Sequence, residues 1–168
     1  MNPAPLGQGR PSLQTALRRW LPLLFSNSPL GRFLRFGIVG SSGVIVDMGM
    51  LFLLSDPKML GWGLTRSKLI GSELAIINNF LWNDAWTFGD VSARQPGHGQ
   101  RLRRFGKFQV ICLTGMALNA TLLNLQFNLL GMNRYLANAI AILFVAGWNF
   151  WLNLRLSWRV THNETPGP

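Results

Sequence analysis

The residues of this chain that could do chemistry are amides and guanidinium groups at the ends of apolar segments. Asn79 and Asn83 lie one helical turn apart, and Asn149 and Asn153 repeat that spacing. A carboxamide both donates and accepts hydrogen bonds without needing an ion's hydration, which suits hydroxyl groups and phosphate oxygens. The alternative interpretation is that these asparagines cap helix ends.

Two arginines belong with these amides. Arg35 lies at the start of the first apolar run, and Arg155 follows Asn153 by two residues. A guanidinium group binds phosphate through charge-assisted and often bidentate contacts. The alternative is that both side chains reach from apolar helices to the interface. The sequence therefore predicts one cytoplasmic-side pocket for a phosphate-bearing polar group, formed by Asn79, Asn83, Asn149, Asn153, Arg35 and Arg155.

Two further polar residues lie deep inside apolar runs. Gly40, Gly43 and Asp47 share one face of a helix, and the step from Gly43 to Asp47 recurs as Gly115 and Asn119. Small residues let helices approach closely, so we expect Asp47 and Asn119 to meet beside a polar cavity. A charge at the bilayer centre costs at least about 2.5 kcal/mol, which favours a functional role for Asp47. For Asn119, a simple interhelical hydrogen bond explains the residue equally well.

Glu73 is a second carboxyl group within an apolar segment. A carboxyl group in hydrocarbon tends to be neutral, so Glu73 is predicted to carry a proton or to bind a ligand through hydrogen bonds. The alternative is a hydrogen bond to a neighbouring helix.

The chain offers no recognisable catalytic arrangement. His98 and His162 lie far apart in polar loops, and Cys112 lies alone within an apolar run. Gly37, Gly40 and Gly43 also lie in an apolar run and do not form a nucleotide-binding loop. The sequence therefore predicts a protein that holds or moves its ligand, is not an enzyme, and needs neither a metal nor a cofactor.

The segments that carry these residues occur as two similar copies in the sequence. NNFLWNDAWTF, from Asn78, resembles WNFWLNLRLSW, from Trp148, and both contain Asn-Phe, two residues and Asn. Upstream, RFLRFGIVGSSGVIVD, from Arg32, aligns with RFGKFQVICLTGMALN, from Arg104. Two similar blocks in the same order indicate a tandem duplication, with repeats at about residues 32–88 and 104–158.

The composition indicates a membrane protein. Of 168 residues, 48% are hydrophobic and only 13% are charged, whereas soluble domains carry about 25% charged residues. Each candidate span is close to the ~20 residues that cross a bilayer. The fold predicted is an all-α integral membrane protein, with four transmembrane helices from two tandem helical hairpins in parallel orientation. The spans are expected at residues 36–54, 67–86, 108–130 and 134–154.

The distribution of basic residues predicts the orientation. Their position at the ends of apolar runs argues against nucleic-acid binding, despite a net charge of +10. Twelve of the sixteen fall on one side if both termini share it, which predicts cytoplasmic termini. That side holds Arg10, Arg18, Arg19, Arg32, Arg35, Arg94, Arg101, Arg103, Arg104, Lys107, Arg155 and Arg159, and the other holds Lys58, Arg66, Lys68 and Arg134.

The regions outside the spans are predicted to be cytoplasmic. Residues 1–31 form an N-terminal segment, with Trp20 and Phe25 at the lipid interface, and residues 159–168 form an unstructured tail. Residues 32–158 are the transmembrane domain. The loop at residues 89–104 contains Gly, Pro and Gln before a basic run, so it is expected to be mobile.

The ordered set of motifs resembles the GtrA-like family of small four-span membrane proteins. RFGIVGSSGVIVD opens the first span, ELAIINNFLWNDAWTF closes the second, RFGKF opens the third and NFWLNLRLSW closes the fourth. The resemblance implies a role in cell-surface polysaccharide synthesis, by flipping a polyprenyl-phosphate-linked sugar across the cytoplasmic membrane. It places the family's motif asparagines at Asn79, Asn83, Asn149 and Asn153. The chain departs from the family at Asp84 and Ala85, where a basic pair is usual, which favours one phosphate site beside Arg155 and Arg35.

Several alternatives and partners follow from this interpretation. The ligand is expected to be a polyprenyl-phosphate lipid or its glycosylated form, among other membrane lipids. A membrane glycosyltransferase partner and a homodimer are expected. The rival functions are a non-transporting anchor of such a glycosyltransferase, a carrier that recycles polyprenyl phosphate, and a proton-coupled exporter resembling small multidrug resistance proteins. In the exporter, Glu73 would be essential.

Overall fold

The computed structural model describes residue 22 and residues 24–159. The proposed interfacial residue Trp20, the neighbouring Arg18 and Arg19, and residues 160–168 of the predicted tail lie outside the described residues. Phe25, the other predicted interfacial aromatic, is described and its side chain is largely exposed.

The regular elements of the described residues are all helical, and these residues contain no strand. Two short π-helical turns, in which the backbone hydrogen bonds run from residue i+5 to residue i, follow the second and the last helix. The helices are α1 (Pro29–Ser55), α2 (Leu64–Trp82), α3 (Gly89–Ala93), α4 (His98–Asn128) and α5 (Arg134–Leu152), and the π-turns are Asn83–Thr87 and Asn153–Ser157. The four long helices contain most of each predicted span.

Local sequence explains where the helices begin and turn. Pro29 starts α1, and the Ser28 hydroxyl caps it by accepting from the Gly31 amide at 3.1 Å. Asn133 caps α5 by accepting from the Tyr135 amide at 2.9 Å. The turns between the long helices each contain a glycine in the left-handed region, Gly61 with φ 61° and Gly131 with φ 60°.

Three helical stretches in the described part of the chain are long and apolar enough to cross a membrane. They are Pro29–Ser55, His98–Asn128 and Arg134–Ser157. The helix α2 does not meet that measure, because its 19 residues include Arg66, Lys68 and Glu73. Many large apolar side chains on the helices face outward, as expected for a protein surrounded by lipid.

The helices form two hairpins, which we call the first hairpin (α1 with α2) and the second hairpin (α4 with α5). Contacts within each hairpin run along the helices, whereas contacts between hairpins are sparser. They concentrate at the end of the bundle that carries the two π-turns, here called the motif end. The opposite end, with the turns at residues 56–63 and 129–133, is called the loop end.

At the motif end, a phenylalanine of each hairpin packs on phenylalanines of the other hairpin. Phe80 of the first hairpin packs on Phe105 of the second, with ring centroids 5.0 Å apart. Phe150 of the second packs on Phe33 and Phe36 of the first, at 5.2 Å and 5.6 Å. Each Asn-Phe phenylalanine therefore rests on the Arg-Phe-x-x-Phe segment of the other hairpin.

The buried aromatic cluster consists of Phe80, Phe88, Phe108 and Trp158. Phe88 and Trp158, the residues that follow the two π-turns, stack at 4.3 Å and are fully buried. These two rings are stacked on each other rather than spread along a membrane interface. Phe88 and Trp158 therefore belong to the core of the bundle.

The segment at residues 89–104, expected to be a mobile loop, is largely helical. It contains α3 and the start of α4, which begins at His98 rather than at Phe108. The helix α4 has 31 residues and is about 46 Å long, so its basic N-terminal part extends beyond ~30 Å of hydrocarbon. Ion pairs from Arg101 and Arg104 to Asp84 hold this extension in place. The composition of the segment does not indicate these contacts, because Asp84 lies outside it.

Candidate functional site

A cavity of about 570 Å³ lies between the two hairpins and is lined by all four long helices. Its walls are mainly apolar, with polar side chains placed from the loop end toward the motif end. The polar side chains that line it are Asp47, Lys68, Ser72, Asn79, Asn83, Asn119 and Asn149. Five of these, all except Lys68 and Ser72, were predicted as site residues.

Two glycines make room for two of the predicted asparagines. The position where a Cβ would stand on Gly43 is occupied by the Asn79 carboxamide, and that on Gly115 by the Asn149 carboxamide. Each contact joins the two helices of its own hairpin, and both pair a glycine with an asparagine. The glycine stripe was predicted as a seam for helix packing, but the side chain that fills it was not predicted.

Several buried amide oxygens of the cavity accept no hydrogen bond within the described part of the chain. They are Oδ1 of Asn83, Asn119 and Asn149. An unpaired buried polar atom is costly, and these three atoms belong to side chains that line the cavity. Since a carboxamide presents two donors on its other atom, each side chain can bind a hydroxyl group in either sense.

An ion pair lines the cavity toward the loop end. The Lys68 ammonium group donates to Asp47 Oδ2, and the Ser72 hydroxyl donates to Asp47 Oδ1 at 3.1 Å. Lys68 and Ser72 lie on one face of α2, one turn apart, opposite Asp47 on α1. Sequence reasoning missed them because the pairing depends on how α1 and α2 are aligned. The formal charges of Asp47 and Lys68 cancel, so this wall is polar without net charge.

Four predicted site residues do not line the cavity, and Arg35 is the clearest case. It is buried, and its guanidinium group donates to the carbonyl oxygens of Leu24 and Thr87 at 3.2 Å and 3.3 Å. The corresponding residue of the second hairpin, Lys107, donates to the Leu156 carbonyl oxygen at 3.0 Å. Both cations thus stabilise the carbonyl end of a π-turn in their own hairpin, where the helix dipole favours positive charge.

Asn153 also has a local role. Its side-chain nitrogen donates to the Asn149 carbonyl oxygen at 2.8 Å, and its oxygen accepts from the Ser157 hydroxyl at 2.8 Å. The side chain is fully buried and braces the second π-turn. Asn83 begins the first π-turn but keeps its oxygen unpaired and lines the cavity, so the two motif positions differ in role.

Glu73 and Arg155 lie on exposed surfaces. Glu73 accepts from the Gln109 side chain at 2.8 Å and 3.0 Å, which joins α2 to α4. The Arg155 guanidinium group lies over the Trp151 ring, 5.3 Å from its centroid. The structure therefore does not gather Arg35, Arg155 and the asparagines into one cradle, and the cavity contains carboxamides without the predicted arginines.

A buried carboxylate ties the hairpins together beside the aromatic cluster. Asp84 Oδ1 accepts from Arg104 Nε at 2.9 Å, from the Ser92 hydroxyl at 2.7 Å and from Trp158 Nε1 at 3.2 Å. The side chains of Asp84 and Arg104 are 7% and 6% exposed. Asp84, where the sequence departs from the usual family pattern, thus forms a structural ion pair with Arg104.

The described residues contain no cluster of three or more histidine, cysteine or acidic side chains that could hold a metal ion. The cavity presents hydrogen-bonding groups and one neutralised ion pair, an arrangement suited to binding a polar, hydroxyl-bearing group. A bundle of outward-facing apolar helices around such a cavity defines a membrane protein that can shelter a polar group beside lipid.

Comparison with known proteins agrees with this class. The family model described as GtrA/DPMS, transmembrane domain, matches residues 35–158, and the chain belongs to this family. The GtrA-like resemblance is thereby confirmed. The chain is also similar to a dolichol-phosphate mannosyltransferase of Pyrococcus furiosus, with 31% identity over 142 residues that cover 84% of this chain. The match spans 38% of the length of that mannosyltransferase.

Proposed function

We propose that this protein translocates a polyprenyl-phosphate-linked sugar across the cytoplasmic membrane during cell-surface polysaccharide synthesis or glycan modification. The observation that carries the proposal is the cavity between the hairpins, whose lining includes the carboxamides of Asn83, Asn119 and Asn149, with Oδ1 atoms that accept no hydrogen bond from the described residues. Sugar hydroxyls supply both the donors and the acceptors that these groups need. The apolar outer surface leaves the isoprenoid chain in the lipid.

The membrane arrangement is part of the proposal. We propose four spans, with α2 as the second, since its charged residue Lys68 is paired with Asp47 and Glu73 binds Gln109. Phe80 packs on Phe105 of the second hairpin, and Phe150 packs in the equivalent way on Phe33 of the first. This symmetry supports a tandem duplication of one hairpin. The two hairpins then run parallel, and the excess of basic residues at the motif end favours cytoplasmic termini.

The proposed role involves no covalent step. The family relation to a dolichol-phosphate mannosyltransferase supports a ligand that joins an isoprenoid phosphate to a sugar. It also supports a membrane glycosyltransferase as the partner that makes this ligand. Assembly as a homodimer remains a prediction.

Reconstitution tests the carrier role. Purified protein in liposomes should scramble a fluorescent polyprenyl-phosphate-linked sugar between leaflets, measured by dithionite quenching of the outer leaflet. Protein-free liposomes and heat-denatured protein are the controls. Liposomes that hold folded protein yet scramble no faster than empty ones would refute the proposal.

Removing a cavity amide should slow scrambling. Asn119→Leu replaces an unpaired buried carboxamide by an apolar group of similar size, and we expect the rate to fall about 10-fold, the effect of losing one buried hydrogen bond to the ligand. The matched control is Asn124→Leu on the same helix, where the exposed side chain donates to the Ala120 carbonyl oxygen. An equal loss in both variants would remove Asn119 from the site.

The second candidate function is a non-transporting membrane partner of a glycosyltransferase. The observation in its favour is that the similar mannosyltransferase extends well beyond the matched region. Co-purification with a polyprenyl-phosphate glycosyltransferase, together with absent scrambling, would select this candidate. Recycling of bare polyprenyl phosphate would instead appear as scrambling of that lipid without its sugar.

The carrier and exporter hypotheses make different predictions for Glu73. In the exporter this carboxylate would be essential, whereas in the carrier it is not part of the cavity. Because this carboxylate lies outside the cavity and binds Gln109, Glu73→Gln should leave the scrambling rate within about two-fold of wild type, the range of an exposed pair. Measuring scrambling with and without a proton gradient checks this. A variant that loses transport together with its response to the gradient would favour proton coupling.

A further inference from the structure

A basic pocket of about 390 Å³ lies at the motif end, apart from the cavity between the hairpins. It is lined by residues of the α3–α4 connection, of α4 and of the segment after the second π-turn. Its basic lining residues are Arg94, Arg103, Arg104, Lys107 and Arg159, and the described lining includes no carboxylate.

The charges of this pocket are mutually repulsive. Arg103 and Arg159 lie close enough to the Lys107 ammonium group to repel it. Arg104 is neutralised by Asp84, whereas Arg103 and Arg159 are exposed and make no hydrogen bond or ion pair with the described residues. Clustered cations of this kind are stabilised by an anion, and guanidinium groups match phosphate oxygens in geometry.

The pocket occurs beside the second π-turn, where Ser157 and Arg159 line it. The first π-turn differs, because Asp84 within it pairs with Arg104 and Asp90 after it pairs with Arg32. Among the described residues, the lining beside the second π-turn is therefore basic and includes no carboxylate. The adjacent Leu156 and the nearby Leu102 expose apolar side chains, so the pocket borders an apolar surface.

We infer that this basic pocket binds the phosphate group of a lipid. The inference rests on the proposed function for the kind of lipid. It supplies an unpaired positive charge, because Lys68, the cation among the described residues that line the cavity, is paired with Asp47. In this arrangement the phosphate is bound by Arg103 and Arg159, with Lys107 beside them.

Binding assays on the full chain separate the possible sources of the phosphate. One arm uses phosphatidylcholine nanodiscs that contain undecaprenyl phosphate, detected by native mass spectrometry. The other uses inorganic pyrophosphate added to phosphatidylcholine nanodiscs, detected by calorimetry. Saturable binding in the lipid arm is expected. Saturable binding confined to the pyrophosphate arm would overturn the lipid assignment.

The variants assign binding to the pocket. Arg103→Gln and Arg159→Gln should each weaken binding about 10-fold, the effect of one charge-assisted hydrogen bond. The matched controls are Arg66→Gln and Arg134→Gln at the loop end, which remove the same charge beside Trp62 and Phe127. Both pocket arginines are exposed, so these variants are expected to fold. Equal effects in all four variants, or no effect in the pocket pair, would overturn the inference.

The result is distinguishable from a failure of the proposed function. Scrambling by wild type without phosphate binding in this pocket overturns the inference alone. Phosphate binding that depends on Arg103 and Arg159, in a protein that does not scramble, overturns the carrier role and leaves the pocket assigned.

Discussion

Replacing Asp84 with asparagine is expected to lower the free energy of unfolding by about 3 to 5 kcal/mol, because it leaves the buried Arg104 charge without its counter-charge. The isosteric change keeps the shape of the side chain and its capacity to accept from Trp158 Nε1. The Arg104 side chain is 6% exposed, so its charge depends on Asp84 more than on water in the folded state. Thermal and chemical unfolding in detergent micelles measures the loss.

Two further variants identify the cause. Asp84→Asn combined with Arg104→Gln removes both charges and should recover at least half of the lost stability, because no buried charge is left unpaired. Asp56→Asn is the control, since its side-chain oxygen accepts from the Lys58 amide and asparagine preserves that acceptor. If Asp84→Asn unfolds at the wild-type temperature, the ion pair does not hold the hairpins together.

Replacing Gly43 with valine is expected to slow scrambling about 10-fold or more, the effect of misplacing a binding group by roughly 1 Å or more. A Cβ at Gly43 would take the space of the Asn79 carboxamide, which must then leave its place in the cavity wall. Gly115→Val should act in the same way on Asn149. The scrambling assay gives the rate, and circular dichroism verifies that the variant remains helical.

The control for this prediction is Gly49→Val, on the same helix. A Cβ added there meets no atom within 4 Å, and Gly49 does not line the cavity. It should scramble within about two-fold of wild type, as expected for a surface substitution. Similar losses at Gly43 and Gly49 would mean that valine in α1 impairs folding or insertion, rather than displacing Asn79.

The helices could be predicted from the sequence because long apolar runs with polar ends have few other structures available in a membrane. The polar cavity could be anticipated from Asp47, Asn79, Asn83, Asn119 and Asn149, since each is costly in lipid without a partner. The all-helical class and the family motifs therefore followed from local pattern. The extent of α4 did not, because its first turns are held by contacts to Asp84, a residue on another helix.

The partners of the site residues could not be predicted because a helical pattern indicates a shared face and not what stands opposite. Spacing placed Gly43 and Asp47 on one stripe, but only the packing of α1 on α2 shows that Asn79 fills the glycine and Lys68 pairs with the carboxylate. Arg35 was grouped with the asparagines by charge and proximity to the membrane. The Thr87 carbonyl oxygen that it binds is not distinguishable in the sequence from any other backbone oxygen.

The concentration of cross-links between hairpins at the motif end has a mechanical consequence. The stacked rings of Phe88 and Trp158 and the Asp84 carboxylate join the halves there, while the side-chain tie described farthest toward the opposite end is the exposed pair of Glu73 and Gln109. Because the two hairpins are joined mainly at the motif end, a small rotation about the stacked rings there would separate their loop ends by a larger distance. Such a hinge would let a bulky head group enter sideways from the bilayer without unfolding any helix.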